Sequence, residues 1–121
     1  MTQLDDVAVT RFDNGGLFQS QALTGDALIS IKNGVVTLNK GSAIAATIAL
    51  PTATTDDFKI LTITSLTAQA HTLAPTSGSF GNGGSNFVKA TYGGAVGDGI
   101  SLMAYQGQWY VIGQKGITLS S

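Results

Sequence analysis

Glutamate is absent from this chain, and all seven acidic residues are aspartate: Asp5, Asp6, Asp13, Asp26, Asp56, Asp57 and Asp98. Glutamate is a good helix former, whereas aspartate competes for nearby backbone groups and favours caps and turns. Sixteen glycines act in the same direction, because glycine weakens element interiors by about 0.5–1 kcal/mol and serves tight turns. Threonine and valine, both frequent here, suit the half-buried surface of a pleated sheet. No long window carries an apolar period of 3.6 residues. The chain is expected to be all-β, with helix near zero.

The order of residues sharpens this. Residues 28–32 (LISIK) lead through Asn33-Gly34 to residues 35–39 (VVTLN). Asn-Gly between two such runs is a strong local hairpin signal. Residues 44–50 form the next apolar run, closed by Pro51 and the polar cluster TATTDD. Residues 58–64 (FKILTIT) make the best single strand. Phe58, Ile60 and Thr62 fall on one face and Lys59, Leu61 and Ile63 on the other. Apolar residues on both faces point to a central position in a sheet. Residues 70–73, 87–92 and 117–119 add further short strands, and residues 75–85 form a glycine-rich loop. Near the end, residues 100–105 and 108–112 flank Gln106-Gly107, the place where a two-residue hairpin turn wants positive φ.

The pattern predicts a single-domain antiparallel β-sandwich or small barrel of about eight or nine short strands over residues 26–121. Its expected core includes Phe58, Ile60, Ile63, Leu102, Trp109 and Val111. Residues 1–25 read either as an N-terminal arm or as edge strands around Asp13-Asn14-Gly15-Gly16. Phe12, Leu17 and Phe18 are apolar anchors in that glycine-interrupted segment and are its candidate partner-binding residues.

Chemistry is sparse. With no cysteine, the chain can form neither a disulfide framework nor a thiolate metal site. His71 is the only histidine, which excludes a multi-histidine zinc site within one chain; its setting, AQAHTLAP, suits a partly buried strand position. Asp56-Asp57 is the one tight acidic pair in a loop. Adjacent residues on an extended chain point apart, so the pair reads as turn residues rather than as an acid and a base facing one substrate. FGNGGS lacks the Gly-Lys-Ser/Thr ending and the following helix of a phosphate loop. Trp109 and Tyr110 invite a sugar-stacking reading, but neighbours on a strand point to opposite sides.

Six Lys and Arg against seven Asp leave a net charge of −1, and the basic residues form no stripe of the kind that binds nucleic acid. No apolar run approaches the about 20 residues of a membrane helix, and MTQLDD lacks the signature of a signal peptide. Synthesis in the cytosol without membrane attachment is the expectation. Charged residues make up 11% of the chain, against about 25% in typical soluble domains. Such a surface is either covered by threonine, serine, asparagine and glycine or hidden against a partner.

Two blocks, FKILTITSLTAQAHTL (58–73) and DGISLMAYQGQWYVIG (98–113), are joined by FGNGGSNFVKATYGGAVG. Together they resemble modules of tailed-bacteriophage virion proteins, found in capsid decoration (cement) proteins and in head or tail fibres. The likeness spans about residues 35–115. It consists of a lysine-containing strand, an Ala-His-Thr strand, a Gly-Asn-Gly loop and a closing hairpin with Trp-Tyr-Val. The resemblance implies an all-β subunit, usually a homotrimer, without enzymatic activity or cofactor. It implies a structural protein on the outer capsid surface of the virion that cements neighbouring major capsid protein subunits. The alternative it implies is a fibre or receptor-binding module contacting host surface glycans.

Overall fold

The computed structural model describes residues 18–82 and 85–121. Twelve strands and no helix occur among them. In chain order these are β1 (Gln19–Leu23), β2 (Leu28–Ile29), β3 (Gly34–Leu38), β4 (Ala45–Ile48), β5 (Ile60–Ser65), β6 (Thr72–Pro75), β7 (Phe80–Asn82), β8 (Ser85–Phe87), β9 (Lys89–Tyr92), β10 (Gly99–Tyr105), β11 (Gln108–Lys115) and β12 (Ile117–Ser120). They form a seven-stranded sheet in the order β1-β3-β5-β10-β11-β7-β8 and a five-stranded sheet in the order β12-β9-β6-β4-β2. The fold is all-β, as expected, and takes the sandwich form rather than a closed barrel.

Several expectations need correction. The sheets are mixed, not antiparallel. From β1 to β6 the chain alternates between the sheets, so β1, β3 and β5 run parallel in one and β2, β4 and β6 run parallel in the other. A chain that winds in one sense around two layers returns to each layer in the same direction, and a pattern of short runs and turns reads alike for coiling and reversal. Antiparallel pairing appears only after β6, where β9 joins β6 and β12, and β10 joins β5 and β11, while β11 and β7 still pair in parallel.

Asn33-Gly34 makes no hairpin, since β2 and β3 lie in different sheets. It is a corner between layers. Gly34 sits at φ +142°, and a Cβ there would overlap the backbone oxygen of Gln19, so the corner requires glycine. Third, there are twelve strands rather than eight or nine. The excess comes mainly from pieces of two or three residues, β2, β7 and β8.

One apolar core fills the space between the layers. Val36, Leu38, Leu61, Ile63, Ile100, Leu102 and Trp109 contribute from the larger sheet. Ile29, Ala46, Ile48, Leu73, Ala90 and Tyr92 contribute from the smaller one. Strand alternation produces this directly: β5 and β10 bury every second residue. Ile63, Leu102 and Trp109 lie in the core as expected, and Val111 packs against it partly buried. Trp109 Nε1 donates to the Ala49 carbonyl at 2.9 Å, and the Tyr92 hydroxyl donates across the core to the Ile63 carbonyl at 2.7 Å.

Phe58 and Ile60 do not join the core; they are 68% and 45% exposed. Strand β5 is central, between β3 and β10, but its inward face carries Leu61 and Ile63, and the other apolar set faces outward. At the open end, β2 is finished by a side chain. Gln21 Nε2 donates to the Leu28 carbonyl and Gln21 Oε1 accepts from the Ser30 N–H, both at 3.0 Å. One primary amide thus supplies the partners a further strand would offer.

Candidate interaction face

The closing hairpin organises the most distinctive surface. Tyr105 pairs with Gln108 around Gln106 (φ +47°) and Gly107 (φ +83°), and two positive φ values are the pattern of a type I′ turn. Glutamine is an unusual occupant, and Asp57 holds it there. The Asp57 carboxylate accepts from the Gln106 N–H at 2.8 Å, from Gln106 Nε2 at 2.6 Å and from the Thr54 N–H at 3.1 Å. The Gln106 backbone bond is the foremost reason that the Asp57 carboxyl lies below the usual aspartate range.

Asp56 does separate work. It is nearly buried, accepts from the Thr52 N–H at 2.7 Å and forms an ion pair with Lys59 at 2.7 Å. Burial opposes its charge, but the Lys59 ammonium and the Thr52 N–H outweigh that and lower its pKa. The acidic pair is a loop clamp, and its two carboxylates address different partners.

Alternation across this hairpin sends Trp109 inward and Tyr105 and Tyr110 outward. Tyr110 pairs with Met103, which pairs with Ile60 of β5. Phe58 lies beside this row, its ring centroid 5.6 Å from that of Tyr105, which is 6.5 Å from that of Tyr110. The Tyr110 ring covers Gly81 of β7, in the space a Cβ would need. Phe58, Ile60, Met103, Tyr105 and Tyr110 therefore form an apolar, aromatic ridge across one end of the larger sheet's outer face.

Phe58 is the outlier of this set. It adopts φ +71°, a left-handed conformation that costs a residue with a Cβ about 1–2 kcal/mol. Its ring is also largely in water. The backbone is fixed by the Phe58 N–H donating to the Ala104 carbonyl at 2.6 Å and the Ala104 N–H donating to the Lys59 carbonyl at 2.9 Å. Neither propensity nor core burial accounts for phenylalanine here, and strained positions of this kind cluster where proteins bind or switch.

The other end of the same face is different. Thr62, Thr64, Gly99, Ser101, Gly113 and Lys115 surround a shallow, open hollow of about 320 Å³. Gly97 and Gln114 complete its lining, and Thr62 and Ser101 are hydrogen-bonded to each other at 3.0 Å.

His71 is fully buried. Its Nδ1 accepts from the Ile44 N–H at 2.9 Å, its Nε2 lies 3.0 Å from Thr67 Oγ1, and its ring meets Tyr92 edge-on. Burial lowers its pKa. Burial, followed by the charge of Asp98, raises the Tyr92 phenol well above its ordinary value. These groups serve the scaffold. Among the described residues, no three His, Cys, Asp or Glu side chains gather to hold a metal, and no helix is long and apolar enough to cross a membrane.

Of the residues singled out for partner binding, Phe12 and Leu17 lie outside the described residues. Phe18 is 64% exposed just before β1, which is an edge strand of the larger sheet. The sequence reading missed Met103 and Tyr105, and weighed Tyr110 only as a stacking partner of Trp109. Carrying the two-residue alternation through the Gln106-Gly107 turn, with Trp109 inward, would have placed both tyrosines on one outer face. No family model and no curated protein matches the chain.

Proposed function

We propose that this chain is a non-enzymatic structural subunit of a tailed-bacteriophage particle. It acts by surface contact, as a capsid decoration protein that forms homotrimers and cements major capsid protein subunits from outside the head. The observation that carries this reading is Phe58, an exposed aromatic side chain in a strained conformation at the head of an aromatic ridge. Aromatic residues and methionine are enriched at protein interfaces, and charged residues are depleted at their centres. The ridge has that composition.

The polar groups capable of chemistry support the same view. Asp56, Asp57, His71 and Asp98 each have partners within the scaffold. The likeness of residues 35–115 to phage virion modules supplies the biological setting. Phe18, and with it Phe12 and Leu17, is the proposed second contact, toward the capsid.

Electron microscopy of particles carrying gold-labelled protein tests the reading. Label over the whole head is expected. Label confined to the tail would overturn capsid decoration in favour of a fibre module, for which the Phe58–Tyr105–Tyr110 row would act as a glycan-stacking platform. Absence from the particle would overturn both.

A further inference from the structure

A second cavity, of about 320 Å³, opens between the tip of the closing hairpin and the loop that joins β6 to β7. Gln106, Gly107 and Gln108 line it from the hairpin, Ser77, Gly78 and Ser79 from the loop, and Leu50 supplies an apolar patch. We propose that this cavity, with the Tyr105 ring beside it, binds one neutral sugar residue, an uncharged pyranose. The inference goes beyond the capsid reading and does not depend on it.

The first support is the hydrogen-bonding inventory. Gln108 Nε2 donates to the Ser79 carbonyl at 3.2 Å, and among the described residues its second N–H and its Oε1 have no partner. Gln106 gives Nε2 to the Asp57 carboxylate at 2.6 Å, which fixes the amide and leaves Oε1 as an acceptor. Ser77 and Ser79 add two hydroxyls. Sugar hydroxyls both donate and accept, as do these amides and hydroxyls.

The second is the aromatic ring. Tyr105 is the strand partner of Gln108 and is 42% exposed. The Phe58 ring, 5.6 Å away, packs against it. A pyranose presents a face of C–H bonds, whose hydrogens suit the electron-rich face of an aromatic ring. Polar cavity and apolar ring thus answer the two kinds of surface that a sugar offers.

The third is charge. No lining residue is ionic, and the nearby carboxylate of Asp57 accepts from Gln106 and Thr54 without a cation. An acidic sugar would meet that carboxylate unpaired, which selects against it.

The fourth is that both walls are preformed. Asparagine or glycine would make the turn at Gln106 more cheaply. Glutamine there, at φ +47°, carries its amide both to Asp57 and to the cavity. The loop is tied at its base by the Thr76 N–H, which donates to the Ile48 carbonyl at 3.0 Å. The volume lies at the small end of the about 300–1,000 Å³ found for ligand sites, which suits a single sugar residue.

Proton–nitrogen correlation spectra of the full chain test this, with methyl glucoside, methyl mannoside, methyl galactoside and N-acetylneuraminic acid titrated separately. At least one neutral glycoside is expected to cause saturable shifts in the millimolar range, centred on the amides of Ser77 to Ser79 and Gln106 to Gln108. N-acetylneuraminic acid is expected to leave those amides unmoved. Tyr105→Ala and Gln108→Leu are each expected to weaken binding by about tenfold, with unchanged far-ultraviolet circular dichroism. Should one variant fail to fold, the other decides.

The proposal is overturned if none of the three glycosides causes saturable shifts, or if the shifts centre elsewhere. It is equally overturned by matching affinity for N-acetylneuraminic acid, or by a folded variant that binds like the wild type. None of these results bears on the capsid reading, which falls only with the position of the label on the particle.

Discussion

His71 makes the stability of this fold depend on pH in a range where no other side chain of the chain ordinarily titrates. Its Nδ1 accepts the Ile44 N–H at 2.9 Å, so the proton of the neutral ring resides on Nε2 and points to Thr67 Oγ1, 3.0 Å away. Protonating Nδ1 would set N–H against N–H inside a fully buried site. The charged groups that face it are few. Tyr92 packs edge-on with its own hydroxyl committed to Ile63, and Asp98 lies beyond Tyr92. Burial lowers the folded-state pKa below the 6.5 of a free histidine.

The sign follows from proton uptake. Between the lowered folded pKa and 6.5, the unfolded chain binds the proton and the folded chain does not. Stability is therefore complete above about pH 6.5 and falls as pH drops through that window, at up to about 1.4 kcal/mol per pH unit. Asp56 and Asp57, whose folded pKa values are lowered from 3.8, add their own loss only in stronger acid. Urea denaturation at pH 7.5 and pH 5.0 is the assay. The wild type is expected to be less stable at pH 5.0, by no more than about 2 kcal/mol. His71→Asn, whose amide oxygen can accept the Ile44 N–H but cannot titrate, is expected to start less stable and change little. An equal loss in both proteins would refute this account of the site.

Three further outcomes are expected. Trp109→Ala removes a fully buried ring and its bond to the Ala49 carbonyl, and denaturant unfolding is expected to register about 3–5 kcal/mol of lost stability. Gly116→Ala meets two obstacles, φ +67° and the Asp98 carboxylate occupying the Cβ position; a melting temperature at least several degrees lower is expected. Phe58→Asn relieves strain at φ +71°, so under conditions where both proteins are monomeric it is expected to be more stable than wild type by about 1 kcal/mol. A less stable Phe58→Asn monomer would show that the ring supports its own fold.

How much of this was legible beforehand depended on the distance over which each feature is specified. The closing hairpin is local: a glycine-containing two-residue turn between dense β-type runs, and it folds as written. The inward positions of Ile63, Leu102 and Trp109 follow from alternation within single strands. The parallel coil does not, because its pairings join residues far apart, such as Gln19 with Gly34 and Gly34 with Leu61. Nothing near Asn33-Gly34 distinguishes a corner between layers from a reversal within one. On β5 the alternation was visible but its sense was not. Both faces are apolar, and the positive φ of Phe58 marks an irregular entrance to the strand that composition does not reveal. The ridge was obscured for the same reason, since its best residues looked like core.

The outer faces of the two sheets show how so lightly charged a chain divides its surface. On the smaller sheet Thr72 pairs with Thr91, which pairs with Thr118, and Thr47 lies on the neighbouring strand β4. Threonine hydroxyls hydrate a pleated surface without charge. On the larger sheet the outward positions hold hydroxyls and glycine at one end and a cluster of aromatic and aliphatic groups at the other. Of the largest side chains, Trp109, Tyr92 and Phe80 fill the core, while Phe18, Phe58 and Tyr105 are left exposed. Threonine thus keeps the smaller sheet's outer face hydrated without charge, while exposed rings are gathered at one end of the larger sheet.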